Sequence, residues 1–184
     1  MEFKQTRRVV TGHDAQGKAV VLFDDLAKPR QRSPGSNAVS MLWVTDEQPI
    51  DMNAAADRGD RAIGVPPLAN GTIFRIVDFP PTKPAEGHVD HDKILKAMGI
   101  DPATQGYMRH TNTHRTKSID YAIVLEGEID MLLDDTEVRM KAGDTLVQQA
   151  TNHAWVNNGD KVCRVAFILI DATAPDAWGQ GWAP

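Results

Sequence analysis

The stretch HTNTHRTKSIDYAIVLEGEI, residues 110–129, carries the strongest indication of fold in this sequence. It begins with two histidines four positions apart, His110 and His114, and runs through Asp120 into an apolar segment that ends at Glu-Gly-Glu. Alternating Ile, Tyr and Val residues closed by a glycine predict a strand followed by a turn. Polar residues crowd together where a sheet protein normally places its core. They can hold a metal, hold a substrate, or simply form a turn.

Short strands with turn residues between them are predicted along most of the chain. In the first half they fall at residues 7–10, 19–23, 38–45 and 71–79. In the second half they follow closely from residue 106, beginning with GYMRHTNTH, and turns are predicted at 126–127, 134–135, 142–144 and 157–160. Many short strands at such spacing predict an all-β fold, an antiparallel barrel or sandwich.

One long segment, residues 81–106, interrupts the strands. It is rich in Pro and Gly around a predicted helix, DKILKAMGI at 92–100, which Asp90 or Asp92 can cap. A loop of this length in a compact β domain is typical of a functional lid, which we expect at the barrel mouth. The cluster HVDHD contains His88 and His91, and an exposed helix start explains it more simply than a metal does. The role of both histidines stays open.

Composition limits the classes of function. The 184 residues predict one domain over 1–184, and the net charge of −5 argues against nucleic acid and anionic membranes as partners. Cys163 is the single cysteine, so an internal disulfide is excluded, and its apolar surroundings predict a buried thiol. The N-terminus lacks an apolar signal segment, and no apolar run approaches the roughly 20 residues of a membrane span. We therefore expect a cytoplasmic protein.

Two segments of the second half resemble the cupin superfamily. In HRTKSIDYAIVLEGE, Asp120 precedes Gly127 by seven positions, where the cupin pattern has Glu, six residues and Gly. In GDTLVQQATNHAWVN, a Gly-Asp pair is followed by His153 and then by Asn157, similar to the second cupin motif. The resemblance covers about residues 106–171. It implies a cupin-like antiparallel β-barrel, a jelly roll, which the N-terminal strands of 7–79 would complete around a helical lid at 81–106.

The chain departs from the cupin motifs at several positions. Counting back from Asp120, His114 takes the first histidine position and Thr116 takes the second, while Asp120 stands in for Glu. In the second motif Gln149 and Ala150 lie near the places of Pro and Gly. An alternative register makes Asn112 and His114 the paired positions, and the sequence leaves both registers open.

The resemblance implies that His114, Asp120 and His153 converge inside the barrel as metal ligands. Two histidines and one carboxylate suit Fe(II), the favoured ion. Zn(II), Mn(II) and Ni(II) remain open, as does a site without metal, in which Asp120 and His153 would act as a catalytic acid–base pair. Four further residues are candidates for substrate binding: His110, Thr116, Trp155 and Arg75.

These features predict a small-molecule enzyme, metal-dependent, that acts on a small organic acid, a phenolic or a polyketide-like compound. Oxygenase and lyase or isomerase reactions both fit. The alternatives are a non-catalytic metabolite-binding cupin and a metal-free dehydratase or decarboxylase. By analogy with the family we expect a homodimer whose only other partner is the small-molecule ligand.

Overall fold

The computed structural model describes residues 3–31, 36–53, 56–59, 61–83 and 89–180, which are folded mainly as β-strands. The strands are β1 Thr6–His13, β2 Ala19–Ala27, β3 Arg30–Gln31, β4 Ala38–Thr45, β5 Thr72–Phe79, β6 Ser118–Glu126, β7 Glu128–Leu132, β8 Glu137–Lys141, β9 Thr145–Gln149, β10 Ala154–Val156 and β11 Cys163–Asp171. One α-helix, α1, spans His91–Ala97, and 3-10 helices span Pro102–Thr104 and Asp176–Gln180.

The strands form three antiparallel sheets. The largest has the order β3-β4-β5-β11-β6-β9, a second has the order β10-β7-β8, and β1 pairs with β2 alone. Side chains from the six-stranded and three-stranded sheets share one hydrophobic core, which includes Ile73, Val124, Ile129, Met140 and Val165. Two antiparallel sheets around a shared core are the layers of a jelly roll, so the predicted all-β, cupin-like fold is confirmed.

Strand β6 shows why the sequence predicted this fold correctly. Asp120, Ala122 and Val124 are buried along one face, whereas Tyr121 on the other face is 40% exposed. Alternate residues of a strand lie on opposite faces of the sheet, so the side chain of Asp120 is directed inward together with apolar neighbours. The polar residue therefore lies among core positions of the barrel.

The cupin-like motif residues form the turns of the second half. Gly127 and Gly143 have φ values of 79° and 94°, a region that glycine occupies at little cost. Asn157 is fully buried and donates hydrogen bonds to the carbonyls of Phe79, at 2.8 Å, and Lys161, at 2.7 Å. Ala150, near the place where the cupin pattern has Gly, also has a positive φ, 53°. The turn geometry is therefore kept although the side chain has changed.

The predicted insert contains the helix that the sequence indicated. Helix α1 begins after Asp90, whose side chain accepts a hydrogen bond from the Lys93 amide, and it ends before Gly99, where φ is 76°. Leu95 is 1% exposed, and the backbone amide of Val65 donates to the carbonyl of Met98 at 2.7 Å. The helix is thus packed against the body of the protein, while His88 lies outside the described residues.

The prediction of a strand at residues 106–114 was wrong. His110 and Thr113 form a turn, because the Thr113 amide donates to the His110 carbonyl and the His110 amide donates to Oγ1 of Thr113. Polar side chains that bond their own backbone compete with sheet pairing in this way. Only His114, at the end of the segment, makes a strand-like bridge.

Several other expectations concern the chain as a whole. Cys163 is buried, as predicted. Within the part of the chain that the structure describes, no helix has the length and apolar character to cross a membrane. The homodimer, the cytoplasmic location and the single domain over 1–184 stay predictions.

Replacing Leu95 by Ala tests whether α1 is anchored as its burial indicates. We expect the free energy of unfolding to fall by roughly 2–4 kcal/mol, because a fully buried Leu leaves a cavity when truncated. The matched control, exposed Lys96→Ala in the same helix, should change it by less than about 0.5 kcal/mol. Urea denaturation monitored by tryptophan fluorescence measures both. Equal, small effects would show that the helix is only loosely attached.

Candidate functional site

A cavity of about 1120 Å³ opens between the walls of the barrel. Its apolar lining comes from β4, β5, β10 and β11 and includes Met41, Val77, Trp155, Phe167 and Leu169. Ile94 and Met98 beside the mouth come from α1 and the residue that follows it. This volume accommodates a ligand of the size of a typical small organic metabolite.

His114 and His153 lie side by side at the wall of this cavity. Their backbones form an isolated antiparallel bridge in which each amide donates to the other's carbonyl, both at 2.9 Å. Residues that exchange both hydrogen bonds are directly opposite, so their side chains leave the same face of the pair. The imidazole ring centroids are 4.5 Å apart. The backbone therefore fixes the two rings relative to one another.

Each imidazole ring is oriented by a hydrogen bond to the backbone carbonyl two residues before it. Nδ1 of His114 lies 2.8 Å from the Asn112 carbonyl, and Nδ1 of His153 lies 3.0 Å from the Thr151 carbonyl. A carbonyl oxygen only accepts, so each Nδ1 carries the proton and each Nε2 of the neutral ring keeps its lone pair. Among the described residues, none forms a hydrogen bond with either Nε2.

Both histidines are neutral at neutral pH. Burial lowers the pKa of His114 to about 4, and the positive charge of Arg75 acts in the same direction. Burial also lowers the pKa of His153 to about 3, with a further contribution from the neighbouring His114. Two adjacent buried imidazoles resist protonation because each added charge is desolvated and repels the next.

Asp120 is held by a chain of side-chain hydrogen bonds. Ser118 Oγ donates to Oδ1 at 2.6 Å, and Nε2 of Gln148 donates to Oδ2 at 3.0 Å. Because the single hydroxyl proton of Ser118 is used in this way, Thr116 Oγ1 donates to Ser118 Oγ, 2.8 Å away. Both carboxyl oxygens of Asp120 are thus fixed by donors.

The carboxyl group of Asp120 titrates close to neutral pH. Burial raises its pKa to about 6, and the hydrogen bond from Ser118 and the charge of Arg75 oppose this rise. A carboxyl group with such a pKa can both release and accept a proton near pH 7, as a general acid or base must.

The structure brings most of the predicted site residues to one cavity. His114, Thr116, Asp120, His153, Trp155 and Arg75 all line it. Asn112 lines it as well, so the positions used by both motif registers face the same space. His110 is not among the described lining residues, because the turn at 110–113 directs it elsewhere. Its Nδ1 accepts a hydrogen bond from the Asn112 amide at 3.3 Å.

The predicted three-ligand set is only partly assembled. The described residues include no group of three or more His, Cys, Asp and Glu side chains placed to hold a metal ion. The structure pairs the two histidines and leaves Asp120 bound to Ser118 and Gln148. The set of His114, Asp120 and His153 as common metal ligands stays a prediction.

Two residues that hold Asp120 were missed by the sequence analysis, Ser118 and Gln148. Ser118 lies two positions before Asp120 and shares its face of β6, which the alternation of the strand would have revealed. Gln148 is the residue of β9 directly opposite Asp120, and only the register of the two strands shows this.

Known proteins are similar to this chain in sequence. The family model for the cupin domain matches residues 99–170. The chain is 31% identical over 175 residues to the "Cupin-domain-containing oxidoreductase virC" of Hypocrea virens, covering 91% of this chain and 77% of that protein. It is 32% identical over 180 residues to "Phomopsin biosynthesis cluster protein D" of Diaporthe leptostromiformis, covering 93% and 81%.

Among solved structures, the chain is similar to the cupin domain of Cnp3 from Schizosaccharomyces pombe. It aligns with a TM-score of 0.45 at 13% identity and covers 99% of this chain and 98% of that chain. The motif match and the relatives over nearly the whole chain lead to one conclusion. The protein belongs to the cupin superfamily.

The two buried histidines predict a loss of stability in acid. Their folded pKa values lie below the ordinary 6.5, so between pH 6.5 and about 3 the unfolded chain binds protons that the folded one does not. The free energy of unfolding should therefore fall as the pH drops through this range. Asp120 acts in the opposite direction, because its pKa is raised from 3.8 to about 6 and the folded protein binds its proton more tightly. It is one group against two histidines, so the net effect remains a loss of stability.

Urea denaturation of chelator-treated protein at several pH values between 7 and 4 measures this dependence. A variant with His114→Gln and His153→Gln should lose much less stability over the range, because its side chains do not titrate. His13→Gln, which removes an exposed histidine of β1, is the matched control and should behave like the wild type. Identical slopes in all three proteins would contradict the assignment.

Proposed function

We propose that this protein is a small-molecule enzyme whose active site is the cavity around His114, His153 and Asp120. The observation that carries the proposal is the paired imidazoles. Both are neutral, both have Nδ1 occupied by a backbone carbonyl, and both leave Nε2 available beside a carboxyl group with a pKa of about 6. A binding barrel alone requires neither paired lone pairs nor a carboxyl group that titrates near neutrality.

The two histidines of the site are arranged as ligands of a divalent metal ion usually are. Metal-binding histidines usually donate their other ring nitrogen to a carbonyl or carboxylate, which fixes the ring and raises its basicity. His114 and His153 both have this arrangement. Such an ion would act as a Lewis acid toward a substrate oxygen or, as Fe(II), would supply redox chemistry with O₂. Fe(II) stays the favoured ion, with Zn(II), Mn(II) and Ni(II) as alternatives.

Asp120 is better suited to proton transfer than to metal ligation. Its two oxygens are occupied by Ser118 and Gln148, and ligation would require it to leave at least one of them. We infer that it exchanges a proton with the substrate, while Ser118 and Gln148 hold it in position. Ser118 also favours the charged form, because its hydrogen bond lowers the pKa of Asp120.

The names of the relatives favour an oxidation or reduction over the other reactions. The relative from Hypocrea virens is called an oxidoreductase. Among the side chains of this protein the one thiol, Cys163, is buried on β11, and burial raises its pKa to about 12. A thiol in this state is a poor redox group. An oxidoreductase reaction here would therefore depend on a bound cofactor, and the histidine pair is suited to a metal.

A metal-free isomerase, dehydratase or decarboxylase is the second candidate. It is favoured by the hydrogen-bonded Asp120 and by the incomplete three-ligand set among the described residues. In that case Asp120 and His153 would act as the acid–base pair. A non-catalytic metabolite-binding cupin is the third possibility, and it predicts no turnover in any condition.

Metal analysis of purified variants tests the proposal. Protein produced with Fe, Mn and Zn supplied should contain about one ion per chain, and His114→Ala or His153→Ala should reduce the content roughly tenfold or more. Asp120→Asn should keep the metal but lose the proton-transfer step, so turnover falls by about 100-fold or more. Mass spectrometry of the metals and a turnover assay measure the two effects.

His110→Ala is the matched control, since it removes a nearby histidine that is not a lining residue. It should change neither the metal content nor the turnover by more than about twofold. Turnover by the wild type without metal would favour the second candidate. Metal retained at wild-type level after both histidines are replaced would rule out their role as ligands.

A further inference from the structure

We propose that Trp178 is a positioning residue of the candidate site. It joins the two segments that carry His114 and His153, on the side of those segments that is directed away from the cavity, and thereby holds the imidazole pair in place. This inference rests on the proposed function, because it concerns how the same histidine pair is held for its ligand.

Trp178 lies outside the cavity, in the 3-10 helix Asp176–Gln180 that follows β11. It is half-buried, and it is not among the described residues that line the cavity. Its indole Nε1 donates a hydrogen bond to the carbonyl of Ala150 at 3.2 Å. Its ring lies against the guanidinium group of Arg115, whose Cζ is 4.2 Å from the ring centroid. One side chain therefore contacts two segments that are distant in the sequence.

Arg115 is the contact on the first segment, directly after His114. His114 lines the cavity, whereas Arg115 lines a separate depression together with Trp178, since neighbouring residues of an extended segment point to opposite sides. Arg115 is only 7% exposed, its Nε donates to the Thr104 carbonyl at 2.8 Å, and its amide donates to Oε1 of Gln105 at 2.8 Å. A desolvated cation–π contact is stronger than an exposed one, so the indole ring helps to fix Arg115 and the backbone beside it.

Ala150 is the contact on the second segment, which ends at His153. Its φ of 53° is a left-handed conformation that an alanine keeps only where its contacts hold it. The Ala150 amide donates to the Ser118 carbonyl at 3.1 Å, and the Ala150 carbonyl accepts from Trp178. The next carbonyl along the chain, that of Thr151, is the one that orients the His153 ring. A shift of Ala150 would therefore move the group that orients this ring.

The bridge between the two histidines needs such support because it is isolated. Pairing of β6 with β9 continues as far as the hydrogen bond between the Ala150 amide and the Ser118 carbonyl. Among the described residues, no backbone hydrogen bond joins 115–117 to 151–152 before the bridge itself. The bridge thus consists of two hydrogen bonds beyond a gap in the ladder, and Trp178 contacts each of the two segments at that gap.

Amide hydrogen exchange of the chelator-treated full chain tests this role without metal or turnover. Trp178→Ala removes both contacts, so the amides of His114 and His153 should exchange at least about 10-fold faster relative to the amides of β11. A general loss of stability would accelerate the β11 amides at least as much, so the comparison isolates opening at the bridge. Heteronuclear NMR of isotope-labelled protein resolves the individual amides.

Two further variants assign the effect to the contacts of one residue. Trp178→Phe keeps an aromatic ring over Arg115 and loses the hydrogen bond to Ala150, so its relative acceleration should be intermediate, roughly threefold. This variant decides the question if Trp178→Ala does not fold. Phe74→Ala is the matched control, because it removes a ring that is 41% exposed on the face of β5 opposite the cavity. It should not raise exchange at the bridge relative to β11.

Titration of the same proteins with Zn(II) connects the position of the histidines to binding. Trp178→Ala should weaken Zn(II) binding about 10-fold, because ligands that lose their fixed separation bind the ion less tightly. Phe74→Ala should bind Zn(II) as the wild type does, since its ring lies on the other face of the sheet.

Three results would overturn the inference. These are bridge amides that exchange freely in the wild type, equal acceleration of the bridge and β11 amides in Trp178→Ala, and unchanged Zn(II) affinity in a variant whose bridge has opened. A wild-type protein that binds no Zn(II) would instead count against the proposed metal site. The exchange measurement would then still decide whether Trp178 holds the histidine pair.

Discussion

The backbone bridge between His114 and His153 is the constraint on which the candidate site depends. Two hydrogen bonds join the end of the loop before β6 to the start of β10, so the side chains of two distant segments are brought to the same face. A carbonyl two residues earlier then orients each ring. The backbone thus sets the ring positions and preserves the separation of the two rings.

Asp120 shows how the barrel keeps a polar group in its core. Burial of a carboxylate is costly unless donors compensate it, and here Ser118 and Gln148 supply one hydrogen bond to each oxygen. The compensation is incomplete, because the pKa is still raised to about 6. The uncompensated part of the burial cost raises the affinity of the carboxylate for a proton, which suits it to proton transfer near neutral pH. Raised pKa values of this kind are common at functional sites.

Two buried arginines of the protein, Arg164 and Arg75, have different surroundings. Arg164 and Asp78 lie 3.6 Å apart in the core, and Arg164 also donates to Thr6 at the start of β1 and to the Lys4 carbonyl, so it ties the first hairpin to the barrel. Arg75 is buried on the same strand as Asp78, but it faces the cavity. Alternation along β5 places Arg75 and Asp78 on opposite faces, so the pair of Asp78 with Arg164 of β11 is kept apart from the cavity.

The local elements of this protein follow from short-range patterns in its sequence. Alternation in β6, the glycines at 127 and 143 and the cap at Asp90 act through neighbouring residues, so the strands, turns and helix α1 were predictable. The inward direction of Asp120 followed from the same alternation. The turn at 110–113 was missed because hydrogen bonds within a polar segment replaced sheet pairing. The contact of Asp120 with Gln148 and the bridge between the two histidines join residues roughly 30 to 40 positions apart. These contacts arise in the folded barrel and could not be predicted, because strand register depends on the packing of the whole barrel and not on the pattern of any one segment.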